Sequence, residues 1–214
     1  MKHDSAARPT AAQTNESARD RLDRCQAEVV RLRRRAEAAE AANHRMAAEH
    51  AELAEGLSVL TRLWVAASAL HEAADENAAL RALEEVMINL AGTEEFGVFE
   101  MEAGVLVPVH AFGVADGRLR PHAPAGVVAR VVESGDAWRT DSPHPHPLDG
   151  PDQPCEPVAC IPLRMGGRVA GVVVVWGFLP QKMAFEPFDL ELYALLANRA
   201  APALRASRLL GAAA

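Results

Sequence analysis

Val158-Ala159-Cys160-Ile161-Pro162-Leu163-Arg164-Met165-Gly166-Gly167-Arg168-Val169-Ala170-Gly171-Val172-Val173-Val174-Val175-Trp176-Gly177-Phe178 is the stretch that decides the fold. Two apolar runs, Val158–Met165 and Arg168–Phe178, flank a glycine pair that can supply the positive φ angles of a two-residue hairpin turn. The chain therefore contains a long antiparallel hairpin. Upstream, Asp141 to Pro157 holds five prolines before Pro157 and two histidines, which demands a loop. Before it, Ala137 to Thr140 reads as a brief strand. Gly126 to Ser134 reads as a short helix, with Val127, Val128, Val131 and Val132 on one side and Gly135 as its stop.

Further upstream, Phe96–Met101 and Val105–Phe112 flank a Glu102-Ala103-Gly104 turn and form a second hairpin. Pro108 cannot donate to a ladder, so its strand is weakened at the centre or lies at an edge. Asp75 can cap a helix in which Leu80, Leu83, Met87 and Leu90 recur at helical spacing before Gly92. Downstream, Pro187 opens a closing helix with Leu190, Tyr193, Leu196, Ala197, Ala200 and Leu204, and Pro202 is expected to kink it. These elements define an α+β domain at residues 57–208, followed by a flexible tail at 209–214.

The first third follows a different rule. With Leu22 at position a of a heptad, the a series is Leu22, Val29, Ala36, Asn43, His50, Leu57 and Trp64, and the d series is Cys25, Leu32, Ala39, Met46, Leu53, Leu60 and Ala67. The frame holds without a stutter over more heptads than a coiled coil requires. In a parallel, in-register pair Glu28 meets Arg33 of the other strand and Arg35 meets Glu40, both attractively. Asn43 at an a position is best satisfied by its own copy across a two-stranded seam, so the spacing predicts a homodimer. His50 reads as a tolerated polar layer in an alanine-rich seam rather than a pH sensor. Ser17 is the expected helix cap, giving a disordered tail at 1–16 and a coiled coil at 17–56.

Composition sets the outer bounds. The chain has 214 residues and a net charge of −7, with Lys and Arg balancing Asp and Glu in residues 1–56, so the acidic excess lies in the C-terminal part. An acidic domain repels phosphate backbones, and Arg31-Leu32-Arg33-Arg34-Arg35 reads as a solvated helix face, so neither nucleic acid nor membrane is the expected partner. Residues 1–21 lack an apolar core for a signal peptide, and the dense apolar run Val172 to Trp176 is too short to span a bilayer, which predicts a cytoplasmic protein. Three cysteines, Cys25, Cys155 and Cys160, without CxxC spacing, indicate neither a disulfide framework nor a zinc site.

The order of helices, hairpins and loop resembles the GAF domain, and so do three phrases. They are Gly126 to Asp141, with its helix, glycine stop and short strand; Ala159-Cys160-Ile161-Pro162-Leu163 with Val169-Ala170-Gly171-Val172-Val173 across the glycine turn; and Phe185 to Leu204. The resemblance implies a central antiparallel sheet with helices on one face and a ligand pocket between the other face and the loops above it. By position it implies a pocket lined by Phe99, Phe112, Trp138, Arg139, Asp141 and Trp176, although ordinary core packing explains the aromatics equally well. The family binds cyclic nucleotides, bilins, haem or small metabolites, and many members bind nothing, so the likeness names no cofactor.

The chemistry-bearing residues narrow this further. The Asn-Lys-Phe-Asp-Glu pattern of the cyclic-nucleotide subgroup is absent, and Lys182, the globular part's only lysine, stands in another context. Cys155 lies in the region of a bilin cysteine without the surrounding motif. The family's free methionine sulfoxide reductases use cysteines around the segment that corresponds to Ala123–Arg130, where this chain has none. His144, His146 and Cys155 carry donor atoms for zinc or copper, but the flanking prolines restrict their convergence, and no metal is expected. No output domain is expected after the closing helix, and the reading is a non-catalytic regulatory protein. It is a coiled-coil homodimer that senses a small molecule or docks a protein partner, with a ligand-free scaffold as the competing class.

Overall fold

The computed structural model describes residues 11–114, 116–144 and 156–211. Its elements are α1 (Ala11–His71), α2 (Glu76–Asn89), β1 (Thr93–Glu102), β2 (Val105–Phe112), a 3-10 turn (Asp116–Arg118), α3 (Gly126–Ser134), β3 (Trp138–Arg139), β4 (Ala159–Met165), β5 (Arg168–Phe178) and α4 (Pro187–Gly211). The chain divides into two compact units, one ending at Leu57 and the other beginning at Ser58.

Among its described residues the first unit is helix alone. From Arg19 to Leu57 every side chain is exposed except the half-buried Ala42, so nothing within this unit shelters its apolar residues. Each of the expected seam positions lies on this helix, and Leu22, Val29, Leu32, Met46, Leu53 and Leu57 are between 48% and 72% exposed. Asn43 and His50 are exposed as well. The helix begins at Ala11 rather than at the expected cap Ser17, because Ala11 to Glu16 contains no glycine or proline to stop it. Glu28, expected to reach across a dimer, is held within its own helix by Arg31 at 2.6 Å.

The second unit is built on an antiparallel sheet of order β2-β1-β5-β4-β3. The last turns of α1, α2 and α4 cover one face, burying Ala66, Leu70, Leu83, Met87, Leu192 and Leu196 against Phe96, Ile161, Val173 and Val175. α3 covers the other face, where Val128 and Val131 pack on Val172, Val174, Cys160 and Phe99. β5 is apolar on both faces because it lies at the centre of this sandwich, which explains its unbroken valine run.

Local signals set the boundaries. The Asp75 carboxylate accepts a hydrogen bond from the Ala78 N–H at 2.7 Å and caps α2, while Gly135, at φ 73°, ends α3 in the left-handed region. β2 is an edge strand, the second of the two outcomes that Pro108 allowed. α4 continues through Pro202 to Gly211, so the expected tail begins later than 209. Within Arg19–His71 one 18-residue window reaches a mean hydropathy of 1.3 with 11% of it buried, so by length and composition α1 could cross a membrane. In the second unit this helix divides its apolar side chains, Ala66 and Leu70 entering the core while Leu60 and Trp64 stay 64% and 68% exposed.

Candidate functional site

The candidate site is the sheet face under α3. Phe99 on β1 and Trp176 on β5 lie on it with ring centroids 6.3 Å apart in an edge arrangement, and Trp138 on β3 packs on the same apolar cluster. Gly97 makes this contact possible, since a Cβ there would come within 2.9 Å of the Phe99 ring and 3.2 Å of the Trp176 ring. The connection from β2 to α3 closes over the aromatics. His122 exchanges two backbone hydrogen bonds with Leu106, at 2.8 and 3.1 Å, which brings its ring to 5.5 Å from Phe99.

Two cations rim this floor. The Arg118 guanidinium lies 5.7 Å from the Trp176 ring and donates to the Glu95 carboxylate at 2.9 Å, while Arg130 lies 6.0 Å from the Trp138 ring. An aromatic floor with cations at its edge suits a small planar or anionic molecule. The floor is also well packed, with Phe99, Leu106, Val172 and Cys160 fully buried.

The six pocket residues expected by position do not all meet. Phe99, Trp138 and Trp176 share this face. Phe112 lies on the opposite, helix-covered face, stacked on Phe96 at 6.2 Å. The cause is a bulge: Val98 pairs His110 and Phe99 pairs Pro108, so Val109 is an extra residue that reverses the alternation of β2. His110 shares the new phase and reaches Glu84 of α2 at 2.5 Å. Arg139 also turns to the helix side, its guanidinium 4.7 Å from the Phe185 ring, and Asp141 is exposed beyond β3. Arg118, Arg130 and His122 were not singled out by sequence. The closure of the connecting segment brings Arg118 and His122 over the aromatics, and α3 carries Arg130 to the Trp138 ring.

The cysteines bear on chemistry. Cys160 is fully buried in β4, and burial pushes its thiol up to about 12 from an ordinary 9.0. Because the folded value is the higher one, the stability this thiol contributes is full below 9.0 and is lost as the pH rises toward 12. Iodoacetamide is therefore expected to reach Cys160 only after denaturation, as read by peptide mass spectrometry. Native labelling of Cys160 would contradict its burial. Cys155 and His146 lie outside the described residues. Among the described residues no three His, Cys, Asp or Glu side chains converge as metal ligands.

The family model described as GAF domain matches residues 73–205. The chain belongs to the GAF family. No curated protein matches the sequence. The GAF domain of a phosphoenolpyruvate-protein phosphotransferase from Coxiella burnetii is similar in structure, with TM-score 0.56 at 16% identity, covering 73% of this chain and 98% of that one. The GAF domain of a putative sensor histidine kinase from Pseudomonas syringae pv. tomato gives 0.51 at 17% identity, covering 77% and 96%. Free methionine-R-sulfoxide reductase from Neisseria meningitidis, solved with its substrate, gives 0.50 at 20% identity, covering 69% and 88%. At these identities the likeness is one of fold. GAF neighbours thus include signalling sensors and a reductase.

Proposed function

We propose that this GAF protein is a non-catalytic regulatory homodimer of the cytoplasm, in which residues 17–56 pair two chains as a parallel coiled coil. The domain at 57–208 senses a small molecule or docks a signalling partner. The observation that carries the pairing is the stripe of large apolar side chains exposed on α1 in a register of seven, for which a second copy is the self-complementary cover. The candidate receptor surface is the face holding Phe99, Trp138 and Trp176 beneath Arg118 and Arg130. Leu60 and Trp64 share a helix with Ala66 and Leu70, so a repacked core would change what that helix offers a partner.

Cys25 supplies the test of strand direction. In a parallel, in-register coil it stands at a d position opposite its own copy, within the separation a disulfide spans; in an antiparallel coil the two thiols are far apart. Mild oxidation is expected to convert the 22.9 kDa chain to a covalent dimer on a non-reducing gel, and Cys25→Ser to abolish it. A particle of 22.9 kDa in sedimentation at micromolar concentration would sink the proposal.

A second reading, an adaptor whose head holds no ligand, draws support from the close packing of Phe99, Leu106, Val172 and Cys160 on the candidate face. Thermal-shift screening with metabolites separates the two, since a molecule that binds only the native state raises the melting temperature by mass action. An empty screen together with a reproducible pull-down partner favours the adaptor.

A further inference from the structure

On the opposite, helix-covered side of the sheet, a hollow of about 400 Å³ opens between the last turns of α4 and the ends of β1, β4 and β5. Backbone geometry creates it. Leu163 pairs Gly171 while Arg164 pairs Val169, so Ala170 is an extra residue and two small residues follow one another beneath α4. Gly171 cannot fill the space, because a Cβ there would lie 2.3 Å from the Phe99 carbonyl oxygen. The walls are Leu163, Ala201 and Leu204, with Met165 at the margin.

Charge is unevenly satisfied around this hollow. Arg208 is held by Glu76 and by Glu100, the latter at 2.9 Å. Arg205, one turn earlier and also lining the space, touches only the Met165 sulfur at 3.9 Å, and among the described residues no carboxylate pairs with it. A volume in the small-molecule range, apolar walls and one unpaired guanidinium define the complement of a single ligand type. Glu100 on the same lining disfavours a doubly charged head.

We propose that this hollow binds a small amphiphilic monocarboxylate, its apolar chain against Leu163, Ala201 and Leu204 and its carboxylate on Arg205. The site is separate from the aromatic face, so its fate and that of the sensing reading are independent.

Decanoate titrated into the full chain carrying ¹³C-methyl methionine tests this. The Met165 methyl signal is expected to shift with a saturable dependence, while Met46 and Met183, exposed elsewhere, stay in place. Arg205 is exposed, so Arg205→Gln leaves the fold intact and is expected to weaken decanoate about tenfold while leaving decanol unaffected, with Arg205→Lys recovering part of the loss. An unmoved Met165 signal at about 1 mM decanoate would overturn the proposal, that being the weak limit of useful affinity. Equal affinity in Arg205→Gln, or matching shifts at Met46 and Met183 as from surfactant adsorption, would overturn it too.

Discussion

Replacing Asp189 by alanine is expected to cost about 3–5 kcal/mol of unfolding free energy, the largest single-site loss in the domain. The Asp189 carboxylate is fully buried in the first turn of α4. One oxygen accepts from Lys182 Nζ at 2.7 Å and the other from the Glu186 N–H at 2.7 Å, so one side chain ties the β5–α4 connection to the helix start. Lys182 is only 13% exposed, and without its partner it becomes a buried, uncompensated cation above the Phe178 ring. Asp189→Asn keeps an acceptor and is expected to lose less. Asp189→Leu with Lys182→Met removes both charges and is expected to recover most of the loss. Urea unfolding followed by circular dichroism measures all three. A loss under about 1 kcal/mol for the alanine variant, the scale of a surface ion pair, would show that the pair is not buried in solution.

The second large effect concerns α1. Leu32→Glu combined with Leu53→Glu is expected to turn the proposed dimer into a 22.9 kDa monomer and to melt the helix preceding Leu57, while the domain keeps its melting temperature. No side chain from Arg19 to Leu57 is buried in one chain, and an isolated helix gains too little from its own hydrogen bonds to be stable in water. On the proposed pairing, its order comes from a second strand. Burying a leucine contributes about 1.5–3 kcal/mol, so losing two on each strand weakens pairing by about 6 kcal/mol or more, over about ten-thousandfold. Sedimentation reads the mass and the helical band of circular dichroism reads the melting. An unchanged mass would locate the pairing surface elsewhere.

The ends of the β4–β5 hairpin, the span of α3 and the Asp75 cap were legible because each carries a local chemical mark: the glycine pair, Gly135 and a capping carboxylate. What escaped sequence reading is what distant parts of the chain decide. The bulge at Val109 is invisible because Val105 to Phe112 is nearly apolar throughout, so no alternation exists for an extra residue to interrupt, and Phe112 was assigned to the wrong face. Two-residue β3 gives Arg139 no phase to follow. The pairing of Lys182 with Asp189 had one trace, a solitary lysine in an otherwise arginine-using domain. Arg118 and His122 had none, because only the fold-back against Leu106 gives them a role.

A sheet whose middle strand reads Val172-Val173-Val174-Val175 would be a hazard in concentrated solution if either border were open for another chain to extend. Neither border is inviting. Pro108 removes a donor from β2, the Val109 bulge distorts its line and His122 occupies part of its outer rim, while β3 offers only two residues. Extension of the sheet by another chain is thus hindered along β2 and where β3 pairs Ala159 and Cys160.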